Sequence, residues 1–186
     1  MVGRRLTGRL LVASPVMREP NFDRTVVLML EHSDTGAVGV VLNRPSHVRA
    51  SDILPDLEGL ALPPGTVHVG GPVQPEAAIC LVKLAFPESG PSWSHLFGSV
   101  GSVNLDKPVA ELGEASLGLR LFAGYAGWGE GQVESELEAG GWLVLRREDE
   151  DAFGPEPAGL WPAVLRRQRK SSLAMLAVFP ENPTLN

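Results

Sequence analysis

Cysteine is almost absent from this chain, which has one among its 186 residues. A single cysteine cannot form an internal disulfide, and such chains are typical of reducing compartments. Cys80 lies in the apolar run 77–82, where we expect a buried and unreactive thiol. The cysteine content therefore predicts a cytoplasmic protein that needs no disulfide to fold.

Long apolar runs are also absent. None approaches the roughly 18 residues that would predict a membrane-spanning helix. Near the N-terminus, the apolar stretch that follows Arg9 ends at Ser14, which is too short for the core of a signal peptide. The sequence therefore predicts no membrane partner, and 186 residues are enough for one ordinary domain.

Positive charge is in the minority. The chain has 16 lysines and arginines against 22 aspartates and glutamates, which gives a net charge of −6 at pH 7. Nucleic-acid binding requires cations that neutralise phosphates, so nucleic acid is not an expected partner. One basic run, residues 166–170, follows an apolar segment with helical spacing. It predicts either favourable charge at a helix C-terminus or a contact with an anionic partner.

The motifs that bind metals and cofactors, or that activate a nucleophile, are missing as well. The chain has four histidines, and none has the i, i+4 spacing of a helical zinc site. No Gly-Lys pair is present for a phosphate-binding loop, and no serine lies in Gly-x-Ser-x-Gly. Gly127 and Gly129 are followed by Gln132 where the dinucleotide fingerprint requires glycine. We therefore expect no metal and no cofactor.

The sequence consists mainly of short segments rich in β-branched and apolar residues. Loops rich in glycine and proline separate these segments. Strands are predicted at residues 10–13, 25–31, 36–42, 67–69, 77–84, 119–125 and 142–145. Helices are predicted at 51–57 with Ser51 as N-cap, 107–113, 132–138 and 159–167. Since 25–31 and 36–42 do not alternate apolar and polar residues, both faces of these strands should be covered. The pattern predicts one mixed α/β (α+β) domain over residues 1–186, with a frayed tail at 180–186.

Acidic residues recur along the predicted helix 132–138. Glu130, Glu134 and Glu138 have the spacing i, i+4, i+8 and would share one face. Three interpretations are open at this point: a solvated acidic face, a contact with a basic partner, and a cation-binding or catalytic carboxylate.

Two loops have residue types that are unusual for simple connections. Asn43 and Arg44 follow a predicted strand, and they offer an amide and a guanidinium that can bind carboxylate or phosphate. Gly70 and Gly71 begin a second loop, at residues 70–73. Each loop predicts either a structural turn or part of a pocket wall.

A third segment, residues 122–138, combines glycines with aromatic residues. Glycines at positions 124, 127, 129 and 131 permit a left-handed backbone or a close approach, while Tyr125 and Trp128 offer flat apolar surfaces with one polar group each. We interpret the segment as a tight turn from a strand into the acidic helix.

Read with residues 8–17, 21–27 and 31–32, these segments resemble the AlgH/YqgE family of bacterial proteins over nearly the whole chain. The most specific matches are Asn43-Arg-Pro45, Gly70-Gly-Pro-Val73 and Gly124-Tyr-Ala-Gly-Trp-Gly-x-Gly-Gln132. The resemblance implies a bent, partly barrel-like mixed sheet flanked by short helices. The family takes one name from a proposed regulatory link to alginate production, and the resemblance supplies no catalytic residues.

The leading hypothesis is a cytoplasmic binding or regulatory module whose loops meet at a shallow pocket for a small ligand or a protein segment. The residues predicted to contact that ligand are Asn43, Arg44, Gly70, Gly71, Tyr125, Trp128 and Gln132. One alternative is a hydrolytic enzyme that uses carboxylates with a histidine, drawn from Asp23, Glu130, Glu134, His32 and His68. Another is a transcriptional regulator that binds DNA directly.

Overall fold

Ten β-strands form one sheet in the part of the chain that the computed structural model describes, residues 5–168 and 171–178. The strands are β1 Arg9–Ala13, β2 Val26–Ser33, β3 Gly36–Val41, β4 Pro45–Arg49, β5 Thr66–Val69, β6 Val73–Leu84, β7 Trp93–Phe97, β8 Val100–Val103, β9 Ser116–Gly129 and β10 Trp142–Arg146. The α-helices are α1 Ala50–Ile53, α2 Gln132–Glu138, α3 Glu150–Phe153, α4 Leu160–Arg166 and α5 Ser171–Leu176. Short 3₁₀-helices occupy Pro55–Leu57, Val109–Ala115 and Pro157–Gly159. The tail predicted to fray, 180–186, lies outside the described residues.

The sheet is mixed and curls into a half-barrel. Its strands follow the order β10-β1-β2-β3-β9-β6-β8-β7, and β5 joins β9 in parallel while β4 pairs with β5. The long strand β9 therefore holds the sheet together, because β3, β5 and β6 all pair with it. The arrangement confirms the predicted mixed α/β class, with one domain and few short helices.

Strand β2 is buried on both faces, as its unbroken apolar sequence predicts. Val26 and Leu28 pack into one hydrophobic core, together with Trp161 of α4. Val27 and Met29 point the other way, into a second core that includes residues of α2 and β9. Burying each such side chain contributes roughly 1.5–3 kcal/mol, so this strand anchors both layers.

Two of the predicted helices form nearly as expected. Residues 132–138 form α2 with the predicted bounds, and 159–167 form α4, which is one residue shorter at each end. The prediction for 51–57 was wrong in part: α1 begins at Ala50 with Arg49 as N-cap, so Ser51 does not cap it. A separate 3₁₀ turn then starts at Pro55, since proline disfavours helical backbone in the residue before it.

The remaining helix prediction, 107–113, was also wrong in type. The segment forms a 3₁₀-helix that begins at Val109 and is interrupted at Gly113, whose φ is +46°. None of the helices within residues 5–168 and 171–178 has both the length and the apolar character that a membrane span requires.

The glycine–aromatic segment is mostly strand rather than turn. Strand β9 was predicted to end at Tyr125, but it continues to Gly129 by pairing residues 126–129 with Gly36–Gly39 of β3. The two backbones come very close, and a Cβ on Gly36 would lie 2.3 Å from the carbonyl oxygen of Trp128. The predicted turn into the acidic helix does form, but it is confined to Glu130 and Gly131, whose φ is +69°, because strand pairing takes up Gly127 and Gly129.

Candidate ligand-binding cleft

The three predicted loops lie next to one another and are joined through their backbones. Val69 donates its amide to the carbonyl of Arg44, and Val41 donates to the carbonyl of Gly70, each at 2.8 Å. Gly70 in turn donates to the carbonyl of Ala123 in β9, also at 2.8 Å. The loop after β3, the loop before β6 and the middle of β9 therefore meet at one junction.

Gly70, Gly71 and Gly124 form the tightest part of this junction. A Cβ on Gly70 would lie 2.2 Å from the carbonyl oxygen of Gly124, and one on Gly71 would lie 2.2 Å from the backbone of Tyr125. Gly124 has a left-handed φ of +68°, which a residue with a side chain rarely adopts. These glycines allow the loop to cross β9 in backbone contact.

Asn43 uses its whole amide to hold the loop between β1 and β2. Its Oδ1 accepts a hydrogen bond from the Val26 amide, and its Nδ2 donates to the Arg24 carbonyl, both at 2.8 Å. Arg24 itself has a left-handed φ of +50°. The side chain of Asn43 therefore fixes the C-terminal end of that loop.

Arg44 holds the same loop from a second side. Its guanidinium donates to the carbonyls of Pro20 and Asp23, at 3.1 and 3.2 Å. These acceptors are backbone oxygens and not the carboxylate that an ion pair would require. Together Asn43 and Arg44 determine the position of residues 20–24.

A cleft lies between this loop and the strand-to-helix connection of β9 and α2. It has a volume of about 460 Å³; Met17, Arg18, Glu19 and Phe22 line one wall, and Gly127, Trp128, Gln132 and Glu136 line the other. We call it the Trp128 cleft. Of the predicted contact residues, Trp128 and Gln132 line it, whereas Asn43 and Arg44 support the opposite wall.

Tyr125 has a different location from Trp128. It is half-buried and packs against the core that contains Phe122 and Trp161. Neither Tyr125 nor the pair Gly70 and Gly71 belongs to the residues that line the cleft.

Three aromatic rings pack together behind the cleft. Phe22 stacks on Trp128 with 6.1 Å between ring centroids, and it meets the edge of Trp142 at 5.3 Å. Trp128 and Trp142 pack edge to face at 6.0 Å. Aromatic pairs of this geometry contribute about 0.5–1.5 kcal/mol beyond their buried area, so the rings form a rigid floor.

Glu136 is the residue that sequence reasoning missed. Its Oε2 accepts hydrogen bonds from the indoles of Trp128 and Trp142, at 3.0 and 2.8 Å. Its Oε1 accepts a bond from Gln132 Nε2 at 2.9 Å, and Gln132 Oε1 accepts one from the Gly129 amide at 3.0 Å. The only available signal was a pair of tryptophans flanking a short acidic helix.

Glu134, one of the glutamates predicted to share an acidic face, is paired with His32. The distance from His32 Nε2 to Glu134 Oε1 is 2.9 Å, and His32 Nδ1 accepts the Leu6 amide at 3.1 Å. Because Nδ1 is an acceptor, Nε2 carries the proton and donates to the carboxylate. Both ring nitrogens are therefore engaged, which leaves no nitrogen to act as a general base in this geometry.

His68 and Arg120 form a buried polar pair of a different kind. His68 is 0% exposed, and burial together with nearby Arg120 lowers its pKa to about 4. Arg120 donates to the backbone carbonyls of Ala152, Pro63 and Gly154, and burial lowers its pKa to about 10. Neither group is accessible to a substrate in solution.

A curled mixed sheet with short helices and an aromatic surface cleft defines the class as a small α/β protein of half-barrel type. The AlgH-like family model, DUF179, matches residues 10–172, and this chain belongs to that family. The finding agrees with the resemblance seen in the glycine-rich motifs.

Similar proteins match nearly the full length of the chain. A protein of Streptomyces avermitilis is 49% identical over 97% of this chain and 95% of its own length. A protein of Mycobacterium tuberculosis is 43% identical over 93% of this chain and 87% of its own length. Both carry only the designation UPF0301. A crystal structure of a Corynebacterium diphtheriae protein superposes with a TM-score of 0.88 at 29% identity, covering 95% of this chain and 94% of that one. The solution structure of AlgH from Pseudomonas aeruginosa superposes with a TM-score of 0.69 at 31% identity, and the match covers 94% of this chain and 95% of that one.

Proposed function

We propose that this protein is a binding module that takes a small ligand or a short peptide segment in the Trp128 cleft. The observation that carries the proposal is a cleft of about 460 Å³ whose two walls are held by hydrogen bonds and joined to each other where Phe22 stacks on Trp128. Hydrogen bonds from Asn43 and Arg44 hold one wall, and Glu136 holds the other. Walls fixed in advance reduce the ordering cost of binding, which is the usual property of ligand sites.

The lining of the cleft indicates the chemistry of the ligand. Met17, Phe22 and Trp128 supply apolar surface, while the exposed Arg18 and Glu19 supply charge of both signs at the entrance. A ligand with an apolar body and a polar or zwitterionic end fits this combination.

Gln132 can donate one further hydrogen bond to a ligand in the cleft. Its amide uses one N–H for Glu136 and its oxygen for Gly129. A second N–H is therefore available to a carbonyl group of the ligand, as in a peptide or an amide. A regulatory role would follow if occupancy of the cleft changes the surface that the loop between β1 and β2 presents.

Native mass spectrometry of the purified full-length protein tests the proposal, with a variant that fills the cleft. Gly141 lines the cleft, and a Cβ there would lie 3.3 Å from Met17 Cε and 3.4 Å from the Glu136 carbonyl oxygen, so Gly141→Leu places a side chain in the cavity. Gly159→Leu is the matched control, because a Cβ at Gly159 meets nothing within 4 Å. This pair avoids Arg44→Ala and Trp128→Ala, which would remove the bonds that hold the walls.

We expect an additional mass on the wild type and on Gly159→Leu that is missing from Gly141→Leu. If no mass travels with the wild type, a fragment and peptide library is screened by NMR, and the backbone amides of residues 127–132 should shift. Equal retention of the ligand by Gly141→Leu, or a library that leaves these amides unmoved, would reject the cleft as the binding site.

A further inference from the structure

Two arginines stand directly opposite each other at the edge of the sheet. Arg9 in β1 and Arg146 in β10 are register partners in an antiparallel pair, so their side chains leave the same face. Like charges in directly opposite positions destabilise a sheet. This placement is costly for the fold alone and calls for a compensating negative charge.

A third arginine completes a basic cavity around this pair. The cavity has a volume of about 490 Å³ and is lined by Gly8, Arg9, Val144, Arg146, Arg147 and Asp149. Arg147 is held in place by its stacking over the Phe97 ring, 4.9 Å from the guanidinium carbon to the ring centroid. Three arginines thus line one cavity on a chain whose net charge is −6.

The carboxylates nearby are already paired. Asp149 accepts a hydrogen bond from Arg147, which lowers the pKa of that carboxyl group. Glu148 and Asp151 are within ion-pair distance of Arg167. Among the residues that the structure describes, neither Arg9 nor Arg146 has a carboxylate within 4.0 Å. The local excess of positive charge is therefore not neutralised by the chain itself.

We infer that the cavity formed by Arg9, Arg146 and Arg147 binds a small phosphorylated molecule. Guanidinium groups match the oxygens of a phosphate in a bidentate geometry, and a dianionic phosphate would neutralise the opposed pair Arg9 and Arg146 together. The volume leaves room for the organic part of a ligand beyond its phosphate. The site is separate from the Trp128 cleft and does not depend on the function proposed for it.

Nucleic acid is the less suitable ligand for this cavity. Three arginines can contact few phosphates of a polymer, whereas stable binding to nucleic acid requires an extended row of cations. The acidic charge of the rest of the chain would repel the flanking phosphates.

Isothermal titration calorimetry with inorganic pyrophosphate at low ionic strength tests the inference on the full-length chain. We expect one binding site in the wild type, and an affinity weaker by about tenfold in Arg9→Gln and in Arg146→Gln, because each change removes charge-assisted hydrogen bonds. Arg49→Gln, at an exposed arginine that ends β4, is the matched control and should bind as the wild type does.

A thermal melt without pyrophosphate separates the site from the fold. Since the two arginines repel each other, neither glutamine variant should lower the Tm. Absence of pyrophosphate binding, or equal affinity in all variants, overturns the inference. A single-stranded oligonucleotide that binds more tightly than pyrophosphate, with a salt slope steeper than about −2, would also overturn it and assign the cavity to nucleic acid.

Discussion

The backbones of Gly70 and Gly124 are in contact, such that a Cβ on Gly70 would lie 2.2 Å from the Gly124 carbonyl oxygen. This contact joins two motifs that are distant in sequence and lets the loop before β6 cross β9. It also explains why both positions are glycine: one has no space for a side chain and the other has a left-handed φ.

Replacing Gly70 should therefore destabilise the fold strongly. We expect Gly70→Ala to lower the free energy of unfolding by about 3 kcal/mol or more, because backbone atoms must move to admit the methyl group. Urea denaturation monitored by circular dichroism measures the change. Gly159→Ala serves as the control, since a Cβ there meets nothing within 4 Å, and it should leave the unfolding midpoint nearly unchanged. Equal midpoints in the two variants would contradict the contact.

Glu136 should matter far more for stability than its neighbour Glu138. Glu136→Ala leaves the indole N–H groups of Trp128 and Trp142 without an acceptor, which should cost about 2 kcal/mol or more. Glu138→Ala removes an exposed carboxylate from the same helix and should have little effect. Chemical denaturation followed by tryptophan fluorescence compares the two variants. A similar loss of stability in both variants would show that a general effect on the helix, and not the hydrogen bonds to the indoles, accounts for the change.

Burial of His68 predicts a pH dependence of stability. Its pKa falls from 6.5 to about 4 on folding, so between these values the unfolded chain binds a proton that the folded chain does not. Stability is then fully present above pH 6.5 and should decrease by about 3 kcal/mol as the pH is lowered to about 4. Urea denaturation across this range measures the slope.

The variant His68→Phe isolates this contribution. It keeps a ring beside Phe122, whose centroid lies 5.5 Å from that of His68, and removes the titrating group. In this variant the free energy of unfolding should change less steeply with pH between 6.5 and 4, by the contribution of one proton. His47→Gln, at an exposed histidine, should keep the pH dependence of the wild type. An unaltered slope in His68→Phe would contradict the buried neutral state.

Cys80 should be unreactive in the folded protein. The residue is 2% exposed, and burial raises the pKa of its thiol to about 12, so almost no thiolate is present at neutral pH. Iodoacetamide labelling followed by mass spectrometry should therefore show modification only in denaturant. Labelling of the native protein at the rate of a free thiol would count against a purely structural role for this cysteine.

Much of the local structure could be predicted from the sequence. The bounds of α2 were predicted because a glycine, a run of glutamates and a following glycine pair mark its ends within a few residues. The burial of β2 on both faces followed from its unbroken apolar run. The strands β4, β7 and β8 were not predicted, since they are short and have no unbroken apolar run, and β4 and β7 contain no buried residue.

The sequence by itself determined the fold class, the family motifs and the absence of an internal disulfide, because composition, spacing and turn residues act over a few positions. Only the tertiary structure decided which groups meet. Glycines near Trp128 proved to be strand residues, since β3 supplies the pairing partner. Arg9 and Arg146 became neighbours through the register of two strands from opposite ends of the chain, which no local pattern specifies.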